Sequence, residues 1–273
     1  MKSRIDLVSL FIMATILFAV VIFPTGAYAS HSWNGYHWAR TSNPFTLKVV
    51  DSNTPDWDDN KAIAISNWSQ STVLDLLNIA GSDAQNTRKR CPMVSGQIRS
   101  CNANYGFNGW LGLASINITG GTHITQGSAK MNDSYFNGGG YTETNRQQVM
   151  CQEIGHTFGL DHQDTSGADL NTCMDYANAL DNPSPNQHDY DELVTIYSHF
   201  DSSTTIGFAA SATNPYADDS APENWGSLVS QSVNGRSTTY ERENWDGTKK
   251  ATHVFWTREA AAVCRACDHR YDH

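Results

Sequence analysis

The chain has 273 residues and carries 18 Lys+Arg against 28 Asp+Glu, a formal charge of −10 at pH 7. A surface of that sign repels nucleic acid and anionic membranes, so no polynucleotide partner is expected, and because no second apolar run matches the one at residues 7–23, no stable membrane insertion is expected either. The length suits one domain, or one domain with a small appendage.

Lys2 and Arg4 precede an apolar run over residues 7–23, and Pro24, Gly26 and Ala27-Tyr28-Ala29 follow it. A basic start, an apolar stretch and a small-x-small site read as a secretory signal peptide over 1–29, cut after Ala29. The apolar length would just permit an uncleaved anchor, but the helix-breaking Pro24 and Gly26 favour removal. Losing Lys2, Arg4 and Asp6 with the signal makes the mature chain one unit more negative. A secreted, extracellular monomer is expected. Its six cysteines are then expected to form disulfides. Spacing suggests the pairs Cys91 with Cys101 and Cys151 with Cys173. Cys264 and Cys267 lie near His269 and His273, where a local disulfide or an unordered tail is a better expectation than a metal module without a core.

Residues 45–50 read as a strand, and Thr54-Pro55 then caps and starts a helix carrying Ala62, Ile65 and Trp68. Further strands are expected at 73–77, 96–102, 111–116 and 123–131. A helix follows, opening at Thr144 with Gln147 three residues on. Pro183 and Pro185 break the chain, and Tyr190, Leu193, Val194 and Tyr197 mark an amphipathic closing helix. This is an α/β (α+β) pattern with a twisted mixed sheet, assigned to a domain over 30–200. Residues 201–223, rich in Ser, Thr, Ala, Asn and Pro, have the composition of a linker. Beyond it, 224–273 reads as a small β-rich module, in which strands 238–240 and 252–256 flank Asp246-Gly247 as a hairpin.

The most informative stretch is Cys151-Gln152-Glu153-Ile154-Gly155-His156-Thr157-Phe158-Gly159-Leu160-Asp161-His162. On a helix Gln152 and His156 share a face, and Glu153 stands about 100° round from Gln152. Gly159, free to take positive φ, can end the helix and return His162 to the same point. Two convergent side chains, a neighbouring carboxylate and a third returned ligand make the geometry of a water-activating metal site.

The pattern resembles the long zinc signature of the metzincin metallopeptidases, H-E-x-x-H-x-x-G-x-x-H followed by a Met-turn, here Thr172-Cys173-Met174-Asp175-Tyr176. The bacterial matrixin-like branch is the nearest, and the resemblance covers about 30–200. One position departs from it: Gln152 stands where the family has its first histidine. The resemblance implies a catalytic domain with zinc helix, Met-turn and closing helix. It also implies Zn2+ held by Gln152, His156 and His162, Glu153 as general base, and Met174 as the apolar floor beneath the metal. Tyr176 matches a tyrosine that, in the astacin-like and serralysin-like branches, binds the metal at rest and swings to stabilise the oxyanion; a packed core tyrosine is the other reading. An amide oxygen is a harder donor than imidazole, so Gln152 should hold zinc more weakly.

Asp161 and Asp164 could orient His162 or face water. His123 begins the strand expected to border the cleft, where an extended peptide would add, and is a candidate substitute ligand. Asn132-Asp133-Ser134 with Gly138-Gly139-Gly140 is a weak candidate for a structural Ca2+. The resulting expectation is a secreted zinc endopeptidase acting on protein or peptide substrates through a metal-bound water. The alternative is a metal-poor, non-catalytic peptide-binding protein on the same fold.

Overall fold

The computed structural model describes residues 31–177, 179–207, 221–264 and 267–271. The expected signal peptide, and residues 208–220 of the expected linker, lie outside the described residues. Strand β1 (His37–Trp38) is followed by β2 (Phe45–Ser52), α1 (Asp58–Trp68), β3 (Leu74–Ala80), α2 (Gln85–Arg90), β4 (Ile98–Ala103), β5 (Trp110–Thr119) and β6 (His123–Asn132). Then come α3 (Asp133–Phe136), α4 (Glu143–His156), α5 (Gln187–Ile196), β7 (Ser227–Gln231), β8 (Ser237–Glu243), β9 (Lys249–Trp256) and α6 (Arg258–Val263). The fold is mixed α/β, as expected, with one large mixed sheet.

The sheet runs β3-β2-β4-β6-β5-β9-β8-β7, and β1 pairs with the start of β6. Strands β3, β2, β4 and β6 are mutually parallel, whereas β5 is antiparallel to β6. β9 is antiparallel to β5 from Ile118↔Lys249 to Trp110↔Trp256, and β8 and β7 continue outward from it. The hairpin read in 224–273 is therefore present, and its strands extend the sheet of the first domain. The reason is visible in β9, whose residues Lys250 to Trp256 are all buried, so neither face of that strand can be left to water. Ala251 and Phe255 belong to the main core, and Val254 and Trp256 join Trp110, Leu113, Trp225 and Tyr240 in a second one. Adjacent strand residues point to opposite faces, so the hairpin closes both sides of the sheet.

Helix α1 buries Lys61, Ala64 and Trp68, a run of i, i+3, i+7 that continues Trp57 before it. Of the three residues read on this helix, Trp68 is buried, Ile65 is half-buried against the core and Ala62 is exposed. Trp68 Nε1 donates to Cys151 O (3.0 Å), which holds α1 against α4. Helix α4 opens two residues before the expected Thr144: Thr142 is its N-cap, exchanging hydrogen bonds with Asn145 in a capping box. The closing helix α5 has a second such box between Asn186 and Asp189. Among the described residues no helix is long and apolar enough to cross a membrane.

Candidate metal centre

All of α4 from Gln147 to His156 is buried, including Gln152, Glu153 and His156 at 0% exposure. A helix that buries three polar side chains near its C-terminus must give them partners or a ligand, since a buried unpaired polar group costs about 1–3 kcal/mol. The chain reverses immediately afterwards. Gly159 has φ +96°, and a Cβ there would lie 2.0 Å from Tyr36 O, so only glycine fits the turn. Trp33 N donates to Gly159 O (2.8 Å) and fixes the turn from outside. His162, buried, is thereby brought back to the C-terminal end of α4.

The segment over residues 172–176 is fastened to the same helix in three ways. Cys151 and Cys173 form a disulfide with Cα atoms 6.0 Å apart. Gln152 Nε2 donates to Cys173 O (3.1 Å) and Asp175 O (3.2 Å). Gly155 lets Met174 come close, because a Cβ at that position would stand 2.8 Å from Met174 Sδ and equally near Trp68. Two further disulfides are present, Cys91–Cys101 and Cys264–Cys267.

His156 and His162 lie together, ring centroids 4.8 Å apart, and a third imidazole joins them from β9: His253. Its centroid is 3.8 Å from that of His156 and 4.9 Å from that of His162, and the Nε2 atoms of His162 and His253 are 2.9 Å apart. One nitrogen from each of the three rings lies within 4.8 Å of the others, a spacing that could hold a metal ion. Glu153 Oε2 is 3.6 Å from His253 Nδ1. Room for this carboxylate comes from Gly112 in β5, where a Cβ would meet Glu153 Oε1 at 2.4 Å. The Tyr176 ring stacks on His162 at 3.7 Å, and Ser237 Oγ lies 2.6 Å from His253 Nε2.

His156 Nδ1 sits 2.8 Å from Leu160 O, so this nitrogen carries the proton and Nε2 keeps its lone pair. Burial pushes the His156 imidazole down to about 3 and holds His162 and His253 well below the ordinary histidine value. All three are neutral, which is the ligating form. Burial also raises the Glu153 carboxyl well above its usual range and the Tyr176 phenol well above its own. His156 Nε2, His162 Nδ1, His253 Nδ1, both Glu153 oxygens and Gln152 Oε1 are all buried without a hydrogen-bond partner. Orphaned polar atoms are rare in folded proteins, and those on the three clustered histidines and the adjacent Glu153 fit a cation among them.

Of the other expected site residues, Asp161 accepts from His162 N (2.8 Å), and burial raises its carboxyl to about 6. Asp164 accepts instead from Ser166 in the loop beyond. The region considered for Ca2+ uses Asp133 as a packing acceptor: its oxygens take Trp57 Nε1 (2.9 Å) and Asn102 Nδ2 (2.6 Å). His123 lies elsewhere, beside Asp201. His253 was the residue missed by the motif. Its signal is the alternation Ala251-x-His253-x-Phe255, which sets an ionisable side chain on the inward face of a strand between two core residues. No family model matches the chain, and no curated protein matches it.

Proposed function

We propose that this chain is a secreted zinc metalloendopeptidase of metzincin type, with Zn2+ held by His156, His162 and His253 and with Gln152 Oε1 as a neighbouring donor. The observation that carries the reading is the gathering of three neutral, buried imidazoles beside a glutamate whose oxygens accept no hydrogen bond. Two or three histidines with an open position suit a catalytic zinc better than an oxygen-seeking cation. When bound, zinc supplies a Lewis acid that polarises a carbonyl and acidifies water.

The chain's own residues do the rest. Glu153 takes a proton from the attacking water and delivers it to the leaving amine, a role that needs a carboxyl whose basicity burial has raised. The Tyr176 hydroxyl, kept protonated by burial, donates to the oxygen that gains charge. Met174, packed against Gly155, gives the centre an apolar floor. Export fits the disulfides.

A second reading, a non-catalytic protein on the same scaffold, is favoured by β9. An extended peptide was expected to add at the strand begun by His123, yet that strand, β6, is paired with β4 and β5 on its two sides, and β9 takes the outer side of β5 along its length. Glu153, His156 and His253 are at most 1% exposed, so turnover requires β9 to yield. Elemental analysis of the purified full chain, beside casein digestion with and without chelator, separates the two. About one zinc at this centre with chelator-sensitive cleavage, abolished in Glu153→Ala with its metal retained, supports the enzyme. Metal-bound or metal-free protein that never cleaves supports the non-catalytic reading.

A further inference from the structure

A second group of metal-binding side chains lies away from the α4 centre, where β1 and the start of β6 meet the segment following α5. His37 Nε2 and His199 Nε2 are 3.1 Å apart. Asp201 Oδ1 is 3.5 Å from the first and 3.8 Å from the second. These three donor atoms all lie within 4.8 Å of one another. Ligands about 2.0 to 2.1 Å from a tetrahedral zinc stand roughly 3.3 Å apart, so the three need little movement to share one ion.

The orientations are set by neighbouring groups. His37 Nδ1 is 2.7 Å from Gly35 O, so the proton sits there and the lone pair of Nε2 points at His199. Asp201 Oδ2 accepts from Arg40 N and Arg40 Nη1, both at 3.1 Å, which leaves Oδ1 turned to the imidazoles. The Arg40 guanidinium also donates to His199 O. His123 is outside the group of three but approaches the same carboxylate oxygen, with Nε2 at 3.2 Å, and it is the register partner of His37 in the β1·β6 pair. The side chains of His123 and His199 are 33% and 50% exposed, so the cluster opens to solvent and an ion can enter.

We infer that His37, His199 and Asp201 form a second metal site, taking a divalent transition cation of zinc type with a solvent molecule or His123 in the fourth position. Two imidazoles and a carboxylate favour such a cation over calcium or magnesium, which prefer all-oxygen shells. The site would be a clasp. It joins β1 to the segment after α5, which already docks by Asp201 N to Arg40 O and Thr205 N to Ala39 O.

The test uses the full chain stripped with chelator and reloaded by equilibrium dialysis against Zn2+ alone. His199→Ala should bind one zinc fewer than the parent, or bind its last zinc at least tenfold more weakly, with an unchanged circular dichroism spectrum. His199 is half exposed, so the variant should fold; His199→Gln serves as a second variant with a longer polar side chain. The measured quantity is a difference between variants, so it stands whether or not the α4 centre binds metal. To separate the two centres, the same pair is compared in a His162→Ala background, where one zinc should still be lost with His199. Equal stoichiometry and affinity with and without His199 would overturn the site and leave a cluster bridged by protons.

Discussion

Replacing Glu153 with glutamine tests the electrostatics of the candidate centre without any assay of turnover. The carboxyl is fully buried among neutral imidazoles, and burial raises its pKa well above the usual 4.5. In chelator, the folded chain holds this proton at a pH where the unfolded chain has released it. Stability from Glu153 is therefore fully present below about pH 4.5 and is lost as pH rises towards the raised value. One proton corresponds to about 1.4 kcal/mol per pH unit. Glu153→Gln fills nearly the same volume and cannot ionise, so it keeps what the parent loses. The three histidines titrate in both proteins, and their opposite contribution, stability lost as pH falls below about 6.5, cancels in the comparison. Urea denaturation of both proteins in chelator, from about pH 5 to about pH 7, should show the variant gaining on the parent as pH rises, by up to about 1.4 kcal/mol per pH unit while the folded carboxyl keeps its proton. A constant difference across that range would mean that Glu153 is ionised in the metal-free fold, and the buried setting derived for it would be wrong.

His253→Ala should weaken zinc at the α4 centre at least tenfold while leaving His156 and His162 in place; competitive chelator titration measures it, and unchanged affinity would remove β9 from the centre. Gly112→Ala forces a methyl against Glu153 and Val149 and should cost about 1–3 kcal/mol, read as a shift in urea midpoint; a neutral result would mean that β5 and α4 can part without loss. Replacing Cys151 and Cys173 together with alanine removes a link spanning 22 residues and should cost about 3 kcal/mol in the chain-entropy model. Thermal unfolding at fixed metal concentration checks that figure, and an unchanged midpoint would show that Gln152 and Gly155 suffice to hold the segment over residues 172–176.

What could be read from the sequence was local. The strand at 45–50, the glycine after α4 and the pairing of Cys151 with Cys173 were read from single short stretches or from spacing, and each is found in the fold. Helix capping was legible in kind but misplaced in position, since Thr142 and Thr144 both precede plausible N3 residues; in the fold Asn145 bonds back to Thr142 and also donates to Leu180 O, a contact 35 residues away in sequence. The composition of 201–223 suggested that residues 224–273 stand apart, but linker composition says nothing of where the next strand docks. That depended on the buried pattern of β9 and on the open edge of β5, two features more than a hundred residues apart. His253 was hidden for the same reason: a motif is read in one stretch, whereas this side chain reaches the centre by strand pairing. The His37, His199 and Asp201 group was equally out of reach, being assembled from the two ends of the first domain and the first residue of the expected linker.

The pairing of β9 with β5 also bears on how the chain folds during synthesis. His253 is 91 residues beyond His162, and a ribosome adds roughly 5–20 residues per second, so the α4 region waits on the order of ten seconds for its third imidazole. Throughout that interval β5 is an edge strand with unpaired backbone groups, open to pairing with another chain. A nascent chain halted before Lys249 would keep that edge exposed and lack the inward histidine. Such fragments should aggregate at concentrations where the full chain stays in solution, and the hairpin formed by β8 and β9 would act as the last stave that closes the sheet.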